Sequence, residues 1–358
     1  MSTRGDIYDY ILESSSTVRK ILNEKECMQE AIDYALRKKI KKIVIVGSGT
    51  SYHAALAARR AMEYELQIPV EAMYPLTFKD DHCVVEEGTL VIGISQYGHS
   101  TSTILALEYA MKKGLATIGL SEIPECPVVE SAEAFLPLNC GEETAGPKTK
   151  GFIGSIATLT VFAGELAKMR GRDEIAIEEV YERLLASSEN LSDIAEKATL
   201  WVRENMEELK KARRIVIVGY EGNLGAVYEG SLKILEGVRC SVTGYQTEEF
   251  YHGIYHSIYE NDYIIYLGSK SEYYDRMKRM YRYFKEERHA HQFMITSDET
   301  FKDAPNTFHY PFQDDRDFST MEYVIPLQVI TKWVSVELGI DCNIPSDPQF
   351  HEKMGSYV

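Results

Sequence analysis

The sequence predicts an α/β protein of two tandem subdomains, each a parallel sheet flanked by helices in three α/β/α layers. Three observations lead there. IVIVG at 43–47 returns unchanged at 215–219, 172 residues on. The same spacing lays Phe78 on Phe250 and, within a residue, VIGI at 91–94 on IIYL at 264–267. Around these runs, short β-branched stretches of the kind buried in parallel sheets alternate with helix-forming segments.

Each element follows from its own pattern. Residues 1–36 carry apolar positions at helical spacing (Ile7, Ile11, Val18, Ile21, Leu22) and predict a helical arm ahead of the first strand. The first subdomain, 37–172, reads as strand 43–47, helix 51–66, strand 69–74, strand 90–95, helix 100–113, strand 115–120, a short edge strand at 134–138 and a long helix from about Phe152. Residues 173–211, rich in Glu, Leu and Ala and free of Gly and Pro, predict linking helices. The second subdomain, 212–340, repeats the plan. It has strands at 215–219, 240–244, 263–268 and 292–296, and helices at 224–235, near 248–257, at 272–286 and from Leu327 to Leu338. In the tail, 341–358, Pro345 and Pro348 stop any helix, so contacts rather than regular structure are expected to pin it.

Composition bounds the function. A chain of 358 residues can build two domains, each with its own core. The net charge of −16 argues against nucleic acid, whose binding needs a basic face. It leaves room for a phosphorylated small molecule held by backbone amides and hydroxyls. No apolar stretch approaches the length of a membrane span, and MSTRGDIYDY lacks a signal peptide's apolar region, so no membrane and a cytoplasmic location are expected. Cys27, Cys83, Cys126, Cys140, Cys240 and Cys342 are scattered without CxxC or zinc-like spacing. They read as reduced thiols, and no metal is expected.

Two loops carry the first chemical signal. GSGTSYHAA at 47–55 closes a strand and opens a helix. Its small residues let the backbone approach an anion, the helix head offers amides, and Thr50 and Ser51 add hydroxyls. The same residues also read as an ordinary turn with a serine cap. SQYGHSTST at 95–103 then supplies a second Gly- and hydroxyl-rich turn after an apolar run. Both loops would leave the carboxyl ends of neighbouring strands, where open α/β sheets bind ligands, which makes a phosphate cradle the better explanation. Neither is a Walker A loop, and no GxGxxG follows a strand.

The second half differs. GYEGNLGAVYEG at 219–230 keeps glycines but loses the paired hydroxyls, a degenerate cradle. Instead Glu229, Lys233 and Glu236 fall on one helix stripe, and His252 follows in EEFYHG. A carboxylate and an imidazole near strand ends can exchange protons. His252 equally reads as a helix cap or a core polar group.

With these motifs in place the chain resembles the sugar isomerase (SIS) family in its double-domain, flavodoxin-like form. It is most similar to the isomerase domain of glucosamine-6-phosphate synthase and to fructosamine 6-phosphate deglycases. GTS at 49–51, SQYGHS at 95–100, PKTKGF at 147–152, EGSLKILE at 229–236 and EEFYHG at 248–253 stand where the family has GTS, SQSGET, STKAF, EGALKLKE and ExxHG. The resemblance runs from about Lys42 over nearly the whole chain. It implies that Thr50, Ser51, Ser95, Gln96 and Ser100 bind a 6-phosphate, with Gly49 and Gly98 shaping the loops. Glu236 would move a proton between C1 and C2 of an open-chain sugar, supported by Glu229 and Lys233. His252 would promote ring opening and, by family analogy, reach the site of a neighbouring subunit, which implies a homodimer or higher homo-oligomer. No cofactor is implied. Lys353, five residues after Pro348 as in the family's PxxxxK, is either an imine-forming lysine or a surface one.

The departures count equally. Tyr97 replaces a small hydroxyl residue, His99 an acidic one, and Ile254 a proline. The chain opens on Met-Ser-Thr, without an N-terminal cysteine nucleophile or room for a glutaminase domain. The expectation is therefore the isomerase half used alone. That is a 6-phospho-ketosamine deglycase releasing an amine or amino acid and glucose 6-phosphate. An amino-sugar-phosphate isomerase or deaminase, and a non-catalytic sugar-phosphate-binding regulator, are the alternatives.

Overall fold

The structure, a computed structural model, describes residues 5–81 and 84–358; Met1–Arg4, at the start of the expected arm, and Cys83 lie outside them. Two compact units alternate along the chain. Residues 16–143, 150–185 and 346–358 form the N-terminal unit, and residues up to 15, 144–149 and 186–345 the C-terminal unit.

Three helices precede the first strand, α1 (Ile7–Leu12), α2 (Ser14–Asn23) and α3 (Gln29–Arg37). The N-terminal unit continues as β1 (Lys42–Val46), α4 (Thr50–Leu66), β2 (Val70–Met73), β3 (Thr89–Ile94), α5 (Thr101–Lys112), β4 (Ala116–Ser121), α6 (Pro127–Glu130), β5 (Ala134–Pro137) and α7 (Lys150–Met169). Its five strands are parallel in the order β2-β1-β3-β4-β5. Every residue of β1, β3 and β4 is buried, because helices cover both faces of the sheet. On one face Phe78 and Leu107 pack on Val44, Val46 and Val91. Helix α7 corrects one expectation: it is long and apolar enough to cross a membrane by length and composition, but most of it is buried inside the protein. Its glycines, serines and threonines broke the apolar run in the sequence.

The chain passes to the C-terminal unit along α8 (Glu174–Glu189), followed by α9 (Leu191–Glu204) and α10 (Met206–Leu209). Then come β6 (Arg214–Gly219), α11 (Leu224–Gly237), β7 (Ser241–Gln246), α12 (Thr247–Phe250), β8 (Tyr263–Gly268), α13 (Tyr274–Glu286), β9 (His291–Thr296), β10 (Thr307–His309) and α14 (Ser319–Glu337). The sheet order β10-β9-β8-β6-β7 is the first sheet's order read from the other edge. Phe250, the counterpart of Phe78, is likewise fully buried and packs with Val216, Val218, Ile264 and Phe284.

Four expectations need correction here. The segment near 248–257 is not one helix but α12 and a 3₁₀ turn at Ile254–Ser257, broken by Gly253 at φ +136°. Strand β10 has three residues, too few for an alternation to show. Helix α14 starts seven residues before Pro326 and carries that proline in its interior. Burial of every residue from Ser319 to Thr331 offsets the hydrogen bond Pro326 cannot donate. The tail forms a short helix, α15 (Phe350–Met354), because no proline follows Pro348 to prevent one, and Gly355 at φ +60° ends it.

The repeat also trades a charge. Lys150 opens α7, is buried, and donates Nζ to the carbonyl of Glu142 at 2.9 Å. Glu322, 172 residues on, is buried in the first turn of α14 and accepts from the Gln313 amide at 3.1 Å with both oxygens. Burial first, with Asp314 and Asp315 beyond it, pushes the Glu322 carboxyl up to about 8 against the pull of the Gln313 amide. A folded-state carboxyl raised above its ordinary value near 4.5 contributes stability that is present below that value and lost as pH rises toward 8. Thermal melts should therefore show the midpoint falling across this window, and Glu322→Gln should flatten the fall. An unchanged slope in the variant would assign the pH dependence elsewhere.

Candidate active site

Neighbouring strands β1 and β3 send their crossovers in opposite directions, to β2 and β4, so their carboxyl ends part and leave an opening. Both expected phosphate loops sit there. Gly49, at φ +55°, turns the chain from β1 into α4, whose first residues are Thr50 and Ser51. After β3, Ser95 and Gly98 lead to Ser100, the residue that precedes α5. Gly98 has φ +75°, and a β-carbon there would lie 2.0 Å from the Cys126 sulfur, so no other residue fits this turn. The hydroxyls form one chain. Ser48 Oγ lies 3.5 Å from Ser102 Oγ, which lies 3.3 Å from Ser100 Oγ, and Thr103 Oγ1 donates to Ser100 Oγ at 3.1 Å. The heads of α4 and α5 carry no side-chain cap from Gly49 or Ser100. Amides and hydroxyls thus converge on one small space, the arrangement an oxyanion requires.

The tail is bonded to the same loop. Thr101 N donates to Ser356 O at 3.2 Å, Thr101 Oγ1 to Gly355 O at 3.0 Å, and Val358 N to His99 O at 3.1 Å, with Ser100 and Tyr357 forming an antiparallel bridge. The His351 ring stacks on Tyr357 at 4.1 Å. Lys353, on α15, is half exposed and pairs with Asp347 at 3.1 Å.

In the C-terminal unit, Glu229, Lys233 and Glu236 form an ion triad on α11. Glu229 and Lys233 are buried, 3.5 Å apart, while Glu236 lies 2.7 Å from Lys233 and keeps about a third of its side chain exposed (37 %). The buried ammonium therefore anchors an accessible carboxylate. His252 is exposed beyond α12, and its imidazole meets no hydrogen-bond partner among the described residues, so it is neither a helix cap nor a core polar group. Glu236 and His252 are not brought together within the chain. Glu236 precedes β7 and His252 follows it, so they stand beyond opposite ends of a six-residue strand roughly 17 Å long.

The degenerate cradle of this unit is filled. A β-carbon on Gly222 would meet the Arg316 carbonyl at 3.2 Å and Ser319 Oγ at 3.4 Å. Ser319 Oγ donates to Asn223 Oδ1 at 3.0 Å. Ser269 and Ser271, hydroxyls the sequence reading passed over, do follow β8 as Ser95 follows β3. Buried Asp314 stands near them, accepting from Tyr323 OH at 2.7 Å, and its charge opposes a phosphate there. Among the described residues, no group of three His, Cys, Asp or Glu side chains is placed to hold a metal ion.

Known proteins resemble this chain in sequence and fold. The SIS domain profile matches residues 36–164. A Clostridium difficile 630 protein provisionally named a phosphosugar isomerase superposes with a TM-score of 0.90 and 30 % identity, over 98 % of this chain and 99 % of that one. The chain belongs to the SIS domain family. Isomerizing glutamine–fructose-6-phosphate aminotransferases are also similar. That of Clostridium tetani is 28 % identical over 314 residues, 86 % of this chain and 51 % of that protein. The C-terminal domain of glucosamine-fructose-6-phosphate aminotransferase from Francisella tularensis shares the fold, with a TM-score of 0.82 and 22 % identity over 95 % of this chain and 97 % of that domain. The SIS chain spans about half the length of the aminotransferases it matches.

Two carboxylates of this SIS chain were not singled out from sequence. Glu122 accepts from the amides of Cys140 (2.9 Å) and Gly141 (3.0 Å), while its own amide donates to Gln96 O at 2.9 Å. Glu143 is fully buried and takes the Gln96 side chain: Nε2 donates to it at 3.2 Å. Only the acidic pair Glu142–Glu143 ahead of PKTKGF hinted at a structural carboxylate there.

Proposed function

We propose that this SIS protein is a sugar-phosphate-processing enzyme, specifically a deglycase acting on 6-phosphorylated ketosamines. The observation that carries the proposal is the hydroxyl chain Ser48–Ser102–Ser100–Thr103 at the parting of β1 and β3, between two helix heads without side-chain caps. Thr50, Ser51, Ser95, Gln96 and Ser100 grip the phosphate. With the ring open, Glu236 takes the C1 proton of the ketosamine and the O2 atom gains one, giving an enaminol. Return of the proton to C2 shifts the double bond to the C1–nitrogen pair, and water then cleaves the imine to glucose 6-phosphate and the free amine. His252 promotes ring opening. Because it lies across β7 from its own Glu236, we assign it to the site of a second copy, in a homodimer. Lys353 stands as a positioning lysine or an imine former.

Nitrogen release by this route needs only water as co-reactant. The aminotransferase relatives and the phosphosugar isomerase neighbour support a sugar-phosphate substrate. Incubation with 6-phosphorylated amino-acid Amadori compounds, beside fructose 6-phosphate and glucosamine 6-phosphate, tests the reading by glucose 6-phosphate release. Release from the Amadori compounds alone supports a deglycase. Interconversion or deamination of the other two would replace it with an isomerase or deaminase, and binding without turnover across the panel with a regulator.

The tail supplies a separate expectation. Deleting Ser356–Val358 removes two backbone hydrogen bonds to the 99–101 loop, each worth about 1 kcal/mol. The KM for the phosphorylated substrate should rise by up to roughly thirtyfold. An unchanged KM would show that the tail bonds do not support the cradle.

A further inference from the structure

One buried carboxylate ties three parts of the N-terminal unit together. Glu143 Oε1 accepts from Lys150 N at 3.0 Å, and Oε2 from Gly151 N at 2.9 Å and from Gln96 Nε2 at 3.2 Å. The Glu143 carbonyl accepts from Tyr97 OH. Thus the second and third residues of the 95–100 loop and the first two amides of α7 all meet one residue. Space enforces the arrangement as strongly as hydrogen bonding. A β-carbon on Gly151 would lie 2.2 Å from Gln96 Oε1 and 2.7 Å from its Nε2, so the Gln96 amide reaches Glu143 only because residue 151 is glycine. The opposite side of the segment is held by buried Lys150, through its bond to Glu142 O.

A helix head attracts anions through its unpaired amides and the aligned peptide dipoles. At α7 an internal carboxylate fills that role, whereas α4 and α5 have no such side-chain cap. A phosphate arriving near these turns is therefore directed away from α7, toward α4 and the amides of α5 beyond Thr101, whose own N–H is held by the Ser356 carbonyl.

We propose that Glu143 is a positioning residue of the phosphate cradle, which holds Gln96 and Tyr97 in place against Gly151 and occupies the competing head of α7. The inference rests on the reading of the 49–51 and 95–100 loops as the phosphate cradle. Two substitutions disturb the same contact by different means. Glu143→Gln leaves one acceptor where two are used, and sets an NH₂ group against N–H donors. Gly151→Ala pushes Gln96 aside without changing any charge.

The test measures binding of fructose 6-phosphate and of inorganic phosphate to the full chain by titration calorimetry, with thermal melts as the control for folding. Both variants should bind fructose 6-phosphate about tenfold more weakly, the loss expected for one or two misplaced hydrogen bonds. A folded variant that binds within twofold of the parent overturns the positioning role, since a residue needed only for stability would move the melt and not the affinity. Where Glu143→Gln does not fold, Gly151→Ala decides alone. Ser51→Ala and Ser95→Ala keep the two ideas apart. If they leave binding intact, or the parent binds neither probe, the cradle reading falls and the inference with it. If they weaken binding while Glu143→Gln and Gly151→Ala do not, only the inference falls.

Discussion

Glu236→Gln is expected to lower turnover by about 10²–10⁴-fold, the usual contribution of a positioned proton-transfer base. The amide keeps the size of the side chain and one oxygen to face the Lys233 ammonium, now at 2.7 Å, but cannot accept the C1 proton. Because the Glu236 side chain is partly exposed and closes no core contact, the melting temperature should stay close to the parent's. Substrate affinity should also hold, since the phosphate grip lies on other residues. Glucose 6-phosphate release at saturating ketosamine measures the effect, beside a binding titration of the same variant. Full activity in Glu236→Gln would end the proposed mechanism.

Lys233→Met is expected to have the largest effect on stability. Lys233 and Glu229 are both buried, and removing one partner leaves the other charge in the interior at a cost of about 3–5 kcal/mol. Urea unfolding should show the extrapolated unfolding free energy falling by that amount, with an unchanged slope. The double variant Lys233→Met with Glu229→Gln should recover most of it, because neither buried charge remains. If the double variant is no more stable than the single one, the loss comes from packing rather than from an orphaned carboxylate. Either variant should also reduce turnover, since Glu236 loses the ammonium that orients it.

Much of the fold was legible in the sequence because parallel strands, buried on both faces, leave near-continuous apolar runs. The repeat of IVIVG located both first strands, and Phe78 and Phe250 do occupy equivalent core positions. What escaped was either short or context-dependent. Strand β10 is too brief to alternate, and the helical state of Ser319–Pro326 depends on burial that a local pattern does not express. The same contrast holds at the site. Small residues and hydroxyls at 47–51 and 95–103 announce themselves by spacing. Glu143 works through contacts to Gln96 and Gly151, which only folding brings together. One further point is legible in the order of the elements. Glu236 and His252 bracket a single strand, and the two ends of one strand lie at the amino and carboxyl ends of a parallel sheet. Their separation within the chain follows from that order alone.

The exchange of Lys150 for Glu322 says something about inheritance. In each half the helix head and the loop before it have adapted as a matched pair, one lysine with a carbonyl, the other glutamate with an amide. Transplanting α7 into the position of α14 would bury an ammonium against an N–H donor; the reverse graft would set a carboxylate against a carbonyl. Loop and helix head can therefore pass from one half to the other only together, and crossovers that fall between them should yield chains that fail to fold. The duplication still visible in the letters of the two first strands is closed to further shuffling at this joint.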